Sequence, residues 1–247
     1  MIQLNHIVKQ YGTTVALNEI NLHIQKGQLV TLIGPSGCGK STLLRIINRL
    51  IEPTSGQLVI NGANALQLDP VQLRRSIGYV IQNAGLFPHL TVEKNVEAVM
   101  VLLGWEKSKR QRRVNELLEI VGLAPSRYAR RYPSELPGGQ QQRVGIARAL
   151  AADPEVLLMD EPFSALDPIT RAELQEELFN IHKEFNKTIV FVTHDMDEAI
   201  NIADMICILK DGEVLQYDTP ENILKNPNGS NVEEFVVKAL EPLASVN

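Results

Sequence analysis

No stretch of this sequence stays apolar for the roughly 20 residues that a membrane-spanning helix needs. The opening residues, MIQLNHIVKQYG, hold no continuous apolar segment of the kind a secretory leader carries. The expectation is a soluble, cytoplasmic protein that can still dock on a membrane protein. Cysteine is scarce, and the two present do not suggest a disulfide framework. Cys207, in the apolar run MICIL, is expected in the core. Excess positive charge is missing as well. Lys and Arg number 24 against 29 Asp and Glu, a net charge of −5. No global basic field points to nucleic acid, and none is expected as a partner. The densest basic run, EKSKRQRR (106–113), reads as a solvated helix face. Internal repeats and low-complexity linkers are absent. Hydrophobic residues make up 44%, which is ample for the core of one large domain or two small ones.

Periodicity then divides the chain. LNHIVKQYG and VALNEINLHIQ read as strands bounded by turns, and GQLVTLI (27–33) as a buried strand. STLLRIINRLI places Leu43, Leu44, Ile47, Leu50 and Ile51 on one helical face. QLVINGANA reads as a hairpin. From about residue 90 to 152 the pattern is helical throughout. Strand and helix then alternate: EVLLMD, RAELQEELFNIHKEF, KTIVFVTH, MDEAINIAD, MICILKDGEVLQY. Such alternation implies a parallel sheet with crossover helices, into which the middle block is inserted. From about Glu233 onward no strong signal is present.

Three strand ends carry chemistry. Gly34, Pro35, Ser36, Gly37, Cys38, Gly39, Lys40, Ser41 and Thr42 match G-x-x-x-x-G-K-[ST] between a strand and a helix. Glycines let successive amides converge on phosphate oxygens, and the helix N-terminus adds its positive dipole end. Lys40 can reach the β- and γ-phosphates, and Ser41 can offer its hydroxyl to Mg²⁺. Cys38, within this cradle, is expected to make the protein sensitive to thiol reagents. EVLLMDEP ends a second strand on two carboxylates. Adjacent strand residues face opposite ways, so Asp160 suits the Mg²⁺ shell and Glu161 suits activation of water. VFVTHD ends a third strand at His194, which could hydrogen-bond the γ-phosphate or hold the water.

SELPGGQQQR (134–143) poses a different problem. Two glycines open a helix although each costs roughly 1 kcal/mol against alanine inside one.

These motifs closely resemble the nucleotide-binding subunits of ABC transporters, over nearly the whole chain. The resemblance implies an α/β P-loop NTPase cassette with a parallel-sheet core, an N-terminal antiparallel β subdomain and an inserted α-helical subdomain. Residues 1–89 and 153–232 would form the catalytic core, 90–152 the helical insert and 233–247 a tail. It implies an ATPase using ATP and Mg²⁺. Tyr11 falls where the family stacks an aromatic ring on adenine. Gln82 falls at the Q-loop position, linking Mg²⁺ and water to the transmembrane partner, and His194 at the switch histidine. Ser164 to Asp167, SALD, looks like the D-loop. Pro137, Gly138, Gly139 and Gln140 fall in the signature motif. In the family two subunits pack head to tail, each signature helix meeting the γ-phosphate held by the other subunit. Both glycines would then be needed for close approach of backbone to phosphate. Proline replaces the usual serine at 137, losing a hydroxyl while fixing φ near the value of a first helical turn.

The implied partners are a second copy of the chain, transmembrane permease subunits and, indirectly, a solute-binding protein. The implied location is the inner face of the cell membrane. Phe87, Pro88 and His89 are expected to help form the permease dock, with a core position for Phe87 as the alternative. GLFPHLTVEKNV, YPSELPGGQQQR and DGEVLQYDTPENIL look most like importers of glycine betaine, carnitine, choline and related osmoprotectants. Amino acids or other small zwitterions are the alternative cargo, and a soluble ABC ATPase outside transport is the alternative class. Many such subunits continue into a regulatory domain. These 247 residues leave no room for one, so gating by that route is expected to be absent or supplied by another chain.

Overall fold

A computed structural model describes residues 1–82, 84–164 and 166–244. The elements run β1 (Ile2–Tyr11), β2 (Thr14–Ile24), β3 (Leu29–Ile33), α1 (Lys40–Ile47), β4 (Ser55–Ile60), β5 (Ala63–Asn64) and α2 (Pro70–Ser76). β6 (Ile77–Val80), α3 (Val92–Leu102), α4 (Lys107–Ile120), α5 (Pro125–Tyr128), α6 (Gly138–Leu150), β7 (Val156–Asp160) and α7 (Pro168–Phe185) follow. The chain closes with β8 (Thr188–Val192), α8 (Met196–Ile202), β9 (Met205–Lys210), β10 (Glu213–Asp218), α9 (Pro220–Lys225) and α10 (Ser230–Ala244). Two compact units result: Met1–Leu73 with Thr188–Asn247, and Arg74–Lys187.

The first unit holds two sheets. In one, β1 lies between β2 and β4, antiparallel to both, with Leu4 opposite Leu22 on one side and Leu58 on the other. Leu4, Leu22 and Leu58 are all buried, each contributing about 1.5–3 kcal/mol on burial. The β4–β5 turn places Asn61 and Gly62 at φ 53° and 77°, the left-handed pair that a two-residue hairpin turn demands. In the other, β3 runs parallel to β8 on one side and β9 on the other, with β10 antiparallel beyond β9. Every residue of β3 is buried, as expected of a strand covered on both faces. Because the β8–α8–β9 crossover passes over β3, the carboxyl end of β3 is where such sheets bind ligands.

Two elements differ from the sequence pattern. α1 ends at Ile47 because Arg49 turns into the left-handed region at φ 48°, where its guanidinium donates to the Ala65 and Leu68 carbonyls. Leu50 therefore lies beyond the helix and is exposed. The stretch after Glu233 continues a helix, α10, whose Val232 and Val236 pack on Ile206, Ile208 and Ile223.

In the second unit β6 and β7 pair in parallel, Ile77 opposite Val156. Helices α3 to α6 fill the chain between them, burying Val96, Met100, Leu117, Leu118, Val144 and Ala147.

Candidate functional site

In the first unit, Gly34 to Gly39 form the turn between β3 and α1. A β-carbon at Gly34 would stand 2.0 Å from the Leu209 carbonyl oxygen of β9. At Gly39, φ is 108° and a β-carbon would meet Leu17 Cδ2 at 2.6 Å and the Ala16 carbonyl oxygen at 2.8 Å. Only glycine fits either place. Gly39 is the N-cap of α1, and no side chain caps that end. The first-turn amides and the positive dipole end are therefore presented without a capping oxygen, as an anion site needs. Lys40 is buried and spans the loop, Nζ donating to the carbonyls of Gly34 at 2.7 Å and Pro35 at 2.9 Å. Pro35, Ser36 and Gly37 are exposed, and Ser41 and Thr42 are half-buried at the start of α1.

Cys38 corrects an expectation. The residue is only 4% exposed, with Sγ 3.8 Å from Lys40 Nζ. Attack by a thiol reagent requires the loop to open first, so ready sensitivity does not follow from the fold.

Tyr11 ends β1 with half its surface exposed, and Lys9 Nζ lies 4.8 Å from its ring centroid. Such a ring can stack on a flat partner. His194 is exposed just beyond β8. The residues beside it are held: Thr193 Oγ1 donates to Glu198 Oε2 at 2.5 Å, and the Asp195 amide donates to Thr193 Oγ1 at 3.0 Å.

In the second unit, Asp160 ends β7 and is buried. Glu161 follows at φ 47°, a strain of about 1–3 kcal/mol for a residue with a side chain. Glu161 thus lies in a turn after the strand, so strand alternation, on which the sequence pattern relies, does not set its direction. The Ser164 amide and hydroxyl both donate to the Glu161 carbonyl and brace that turn. Gln82 Nε2 donates to Glu161 Oε2 at 3.0 Å, so these two candidates are brought together. Gly138, Gln141, Glu161 and Ser164 border one cavity of about 120 Å³.

Pro137 is the N-cap of α6, one residue before the first helical turn, at φ −54° and ψ 155°. It makes no side-chain capping bond. The two glycines after it differ. A β-carbon at Gly139 would lie 2.9 Å from Thr170 Cγ2 of α7, whereas one at Gly138 meets nothing within 4 Å. Packing within the chain therefore accounts for Gly139, and only an approach from outside would require Gly138. Gln140 turns to Tyr128, Nε2 standing 3.4 Å from its hydroxyl. Asp167 caps α7 by accepting from the Thr170 amide. Ala165, within SALD, lies outside the described residues.

Several supporting residues escaped the sequence reading. Asn95, fully buried, accepts from the Phe87 amide and donates to the carbonyls of Phe87, Leu90 and Thr91. Arg148 donates to the carbonyls of Ala84 and Gly85, and burial lowers its pKa. Arg143 ties α6 to Glu173 and Glu177 of α7 and to the Val121 carbonyl. Their one sequence signal is a polar residue at a buried helical position, as Asn95 is between Val92, Val96 and Met100. Phe87 is 45% exposed and borders a groove of about 330 Å³ with Ile81, Val99, Leu102 and Arg148. That settles its alternative against the core. Among the described residues no helix is long and apolar enough to cross a membrane.

The family model described as ABC transporter matches residues 17–164. The carnitine transport ATP-binding protein OpuCA of Listeria monocytogenes is 56% identical over 239 residues, covering 96% of this chain and 60% of the relative. The glycine betaine/carnitine/choline transport ATP-binding protein OpuCA of Bacillus subtilis is likewise 56% identical, covering 96% and 63%. The chain thus spans about 60% of the length of these curated relatives. A solved dimer of an ATP-binding cassette in a post-hydrolysis state, bound to ADP and Pi, superposes with a TM-score of 0.82 at 39% identity, covering 89% of this chain and 99% of that one.

Proposed function

Because the chain belongs to the ABC transporter family, in its ATP-binding branch, we propose that it is the ATP-hydrolysing subunit of an osmoprotectant importer. The cargo would be glycine betaine, carnitine, choline or a related quaternary amine. The observation that carries the cargo is 56% identity, over 96% of the chain, to subunits named for carnitine and for glycine betaine, carnitine and choline transport. Catalytic core 1–89 and 153–232, around the insert 90–152, is the division of labour that goes with this reading.

ATP is held by the cradle. Backbone amides of the cradle beyond Pro35 and the α1 N-terminus face its phosphates, Lys40 exchanges its carbonyl partners for β- and γ-oxygens, and Tyr11 stacks on adenine. The donor set suits Mg²⁺, which takes oxygen ligands and is usually held by one or two carboxylates with substrate phosphates. Ser41, Asp160 and Gln82 supply such oxygens. When bound, the ion neutralises charge that develops on the phosphates. Glu161 accepts the proton of the attacking water, and the bond from Gln82 Nε2 fixes which carboxylate oxygen is left for it. His194 meets the γ-phosphate or holds the water.

A second copy, packed head to tail, presents Pro137, Gly138, Gly139 and Gln140 to the same γ-phosphate. Gly138, where an added β-carbon would meet nothing in its own chain, would be the point of closest approach. The groove at Phe87 receives a permease helix, which places the subunit on the inner face of the membrane, with a solute-binding protein acting through the permease. The test is uptake into vesicles holding this chain with its permease and solute-binding protein. ATP-dependent uptake of glycine betaine, carnitine or choline is expected. Uptake of amino acids alone, or none at all, would overturn the reading.

A further inference from the structure

We propose that Thr193 and Glu198 are positioning residues for hydrolysis that act through His194, a proposal that rests on the role just given to that histidine. His194 is exposed, and its backbone is held on both flanks. Thr193, 3% exposed at the end of β8, gives its hydroxyl proton to Glu198 Oε2 at 2.5 Å. Thr193 Oγ1 in turn accepts from the Asp195 amide at 3.0 Å. Asp195 then caps α8, Oδ1 accepting from the amides of Asp197 at 2.9 Å and Glu198 at 3.3 Å. These bonds close a ring that runs from the last turn of strand backbone, across residue 194, into the first turn of α8.

The chemistry of the ring makes it stiff. A hydroxyl has one proton; once given to Glu198, its lone pairs are oriented for the Asp195 amide. A bond to an ionised acceptor is shorter and stronger than one between neutral groups. Glu198 is 6% exposed, and burying a carboxylate is costly unless it is hydrogen-bonded. An apolar pair of similar size would hold the helix to the strand as well or better. A polar ring at this place is explained by what lies between its members.

The test is a set of variants read for kcat, for nucleotide affinity and for thermal stability. Thr193→Val keeps the shape and removes the hydroxyl. It is expected to lower kcat by roughly tenfold to hundredfold, the range a misplacement of about 1 Å produces, with ATP affinity unchanged. Thr193→Ser, which keeps the hydroxyl, is expected to hydrolyse at close to the native rate. Combined with His194→Ala, Thr193→Val is expected to add no further loss, since both act on one group. Additive losses, or a fully active Thr193→Val, would overturn the positioning role while leaving His194 in place. Native hydrolysis by His194→Ala would instead remove the role of His194 and this proposal with it. Should Thr193→Val fail to fold, Glu198→Gln decides. It keeps a weaker acceptor and is expected to lose several-fold in kcat, again with no further loss beside His194→Ala; an additive loss overturns the proposal.

Discussion

Replacing Pro137 by serine should tighten the ATP-held dimer and speed hydrolysis. Pro137 is the N-cap of α6 and contributes no capping bond. A serine there would do two things at once, since a hydroxyl both accepts and donates. Its oxygen would accept from the amide of Gly139 or Gln140, worth about 1 kcal/mol to the helix. Its proton would remain for a phosphate oxygen across the dimer, a bond to a charged group worth about 1.5–3 kcal/mol. Against these stands the loss of the fixed φ of proline, about 0.4–1 kcal/mol. In the free subunit the cap and the lost rigidity nearly cancel, so thermal stability should hardly change. The phosphate bond acts only in the dimer, where it amounts to about tenfold to hundredfold per site. The assay measures ATPase rate against protein concentration for both forms, beside nucleotide affinity at concentrations too low for pairing. The serine form should reach half its maximal rate at lower protein concentration, with unchanged affinity in the monomer. Equal or lower activity in the serine form would refute the reasoning and show that glycine amides and the helix dipole suffice.

The two glycines should separate experimentally. Gly139→Ala, with its β-carbon 2.9 Å from Thr170 Cγ2, should cost about 1–3 kcal/mol of stability; Gly138→Ala should fold normally yet fail to form the ATP-bound dimer, as thermal melts and size exclusion would show. Phe87→Ala should leave folding and basal ATPase intact while weakening assembly with the permease, measured by co-purification. The Lys187 ammonium, hydrogen-bonded to Asp153, holds that carboxyl below the usual range, with Arg113 adding to the effect. A depressed pKa gives stability that is present above the unfolded value of about 3.9 and lost as pH falls through the lower folded value. With Asp153 largely exposed, the increment is about 0.2–1 kcal/mol, and Asp153→Asn should abolish it at pH 7 while matching the native protein at pH 2 in denaturant titrations.

Much of this was legible in the sequence for stated reasons. Buried strands such as 29–33 and 188–192 are continuous apolar runs, and a glycine loop between strand and helix has few other uses. What stayed hidden depended on contacts and backbone turns that no local pattern marks. Leu50 reads as helical until Arg49 is seen to leave the helix for the carbonyls of Ala65 and Leu68. The helix over Ser230–Ala244 does carry a signal, Val232, Phe235 and Val236 at helical spacing, but a reading that stops at Glu233 divides it. That Glu161 leaves the strand in a left-handed turn, instead of alternating with Asp160 within it, was not legible. Thr193, Glu198 and Asn95 are polar residues whose partners are neither adjacent nor marked by any motif, so their roles emerge only from geometry.

The central claim is that this chain hydrolyses ATP with Glu161 as the base, oriented by Gln82. The most direct measurement is the single-turnover rate of Mg²⁺-ATP hydrolysis by the native chain and by Glu161→Gln, with bound nucleotide quantified in both. The variant keeps an oxygen for Gln82 and loses only the basic carboxylate. It is expected to bind ATP as the native chain does and to hydrolyse it about 10²–10⁴-fold more slowly, accumulating as an ATP-bound dimer. Hydrolysis at close to the native rate in Glu161→Gln, or none in the native chain, would contradict the account.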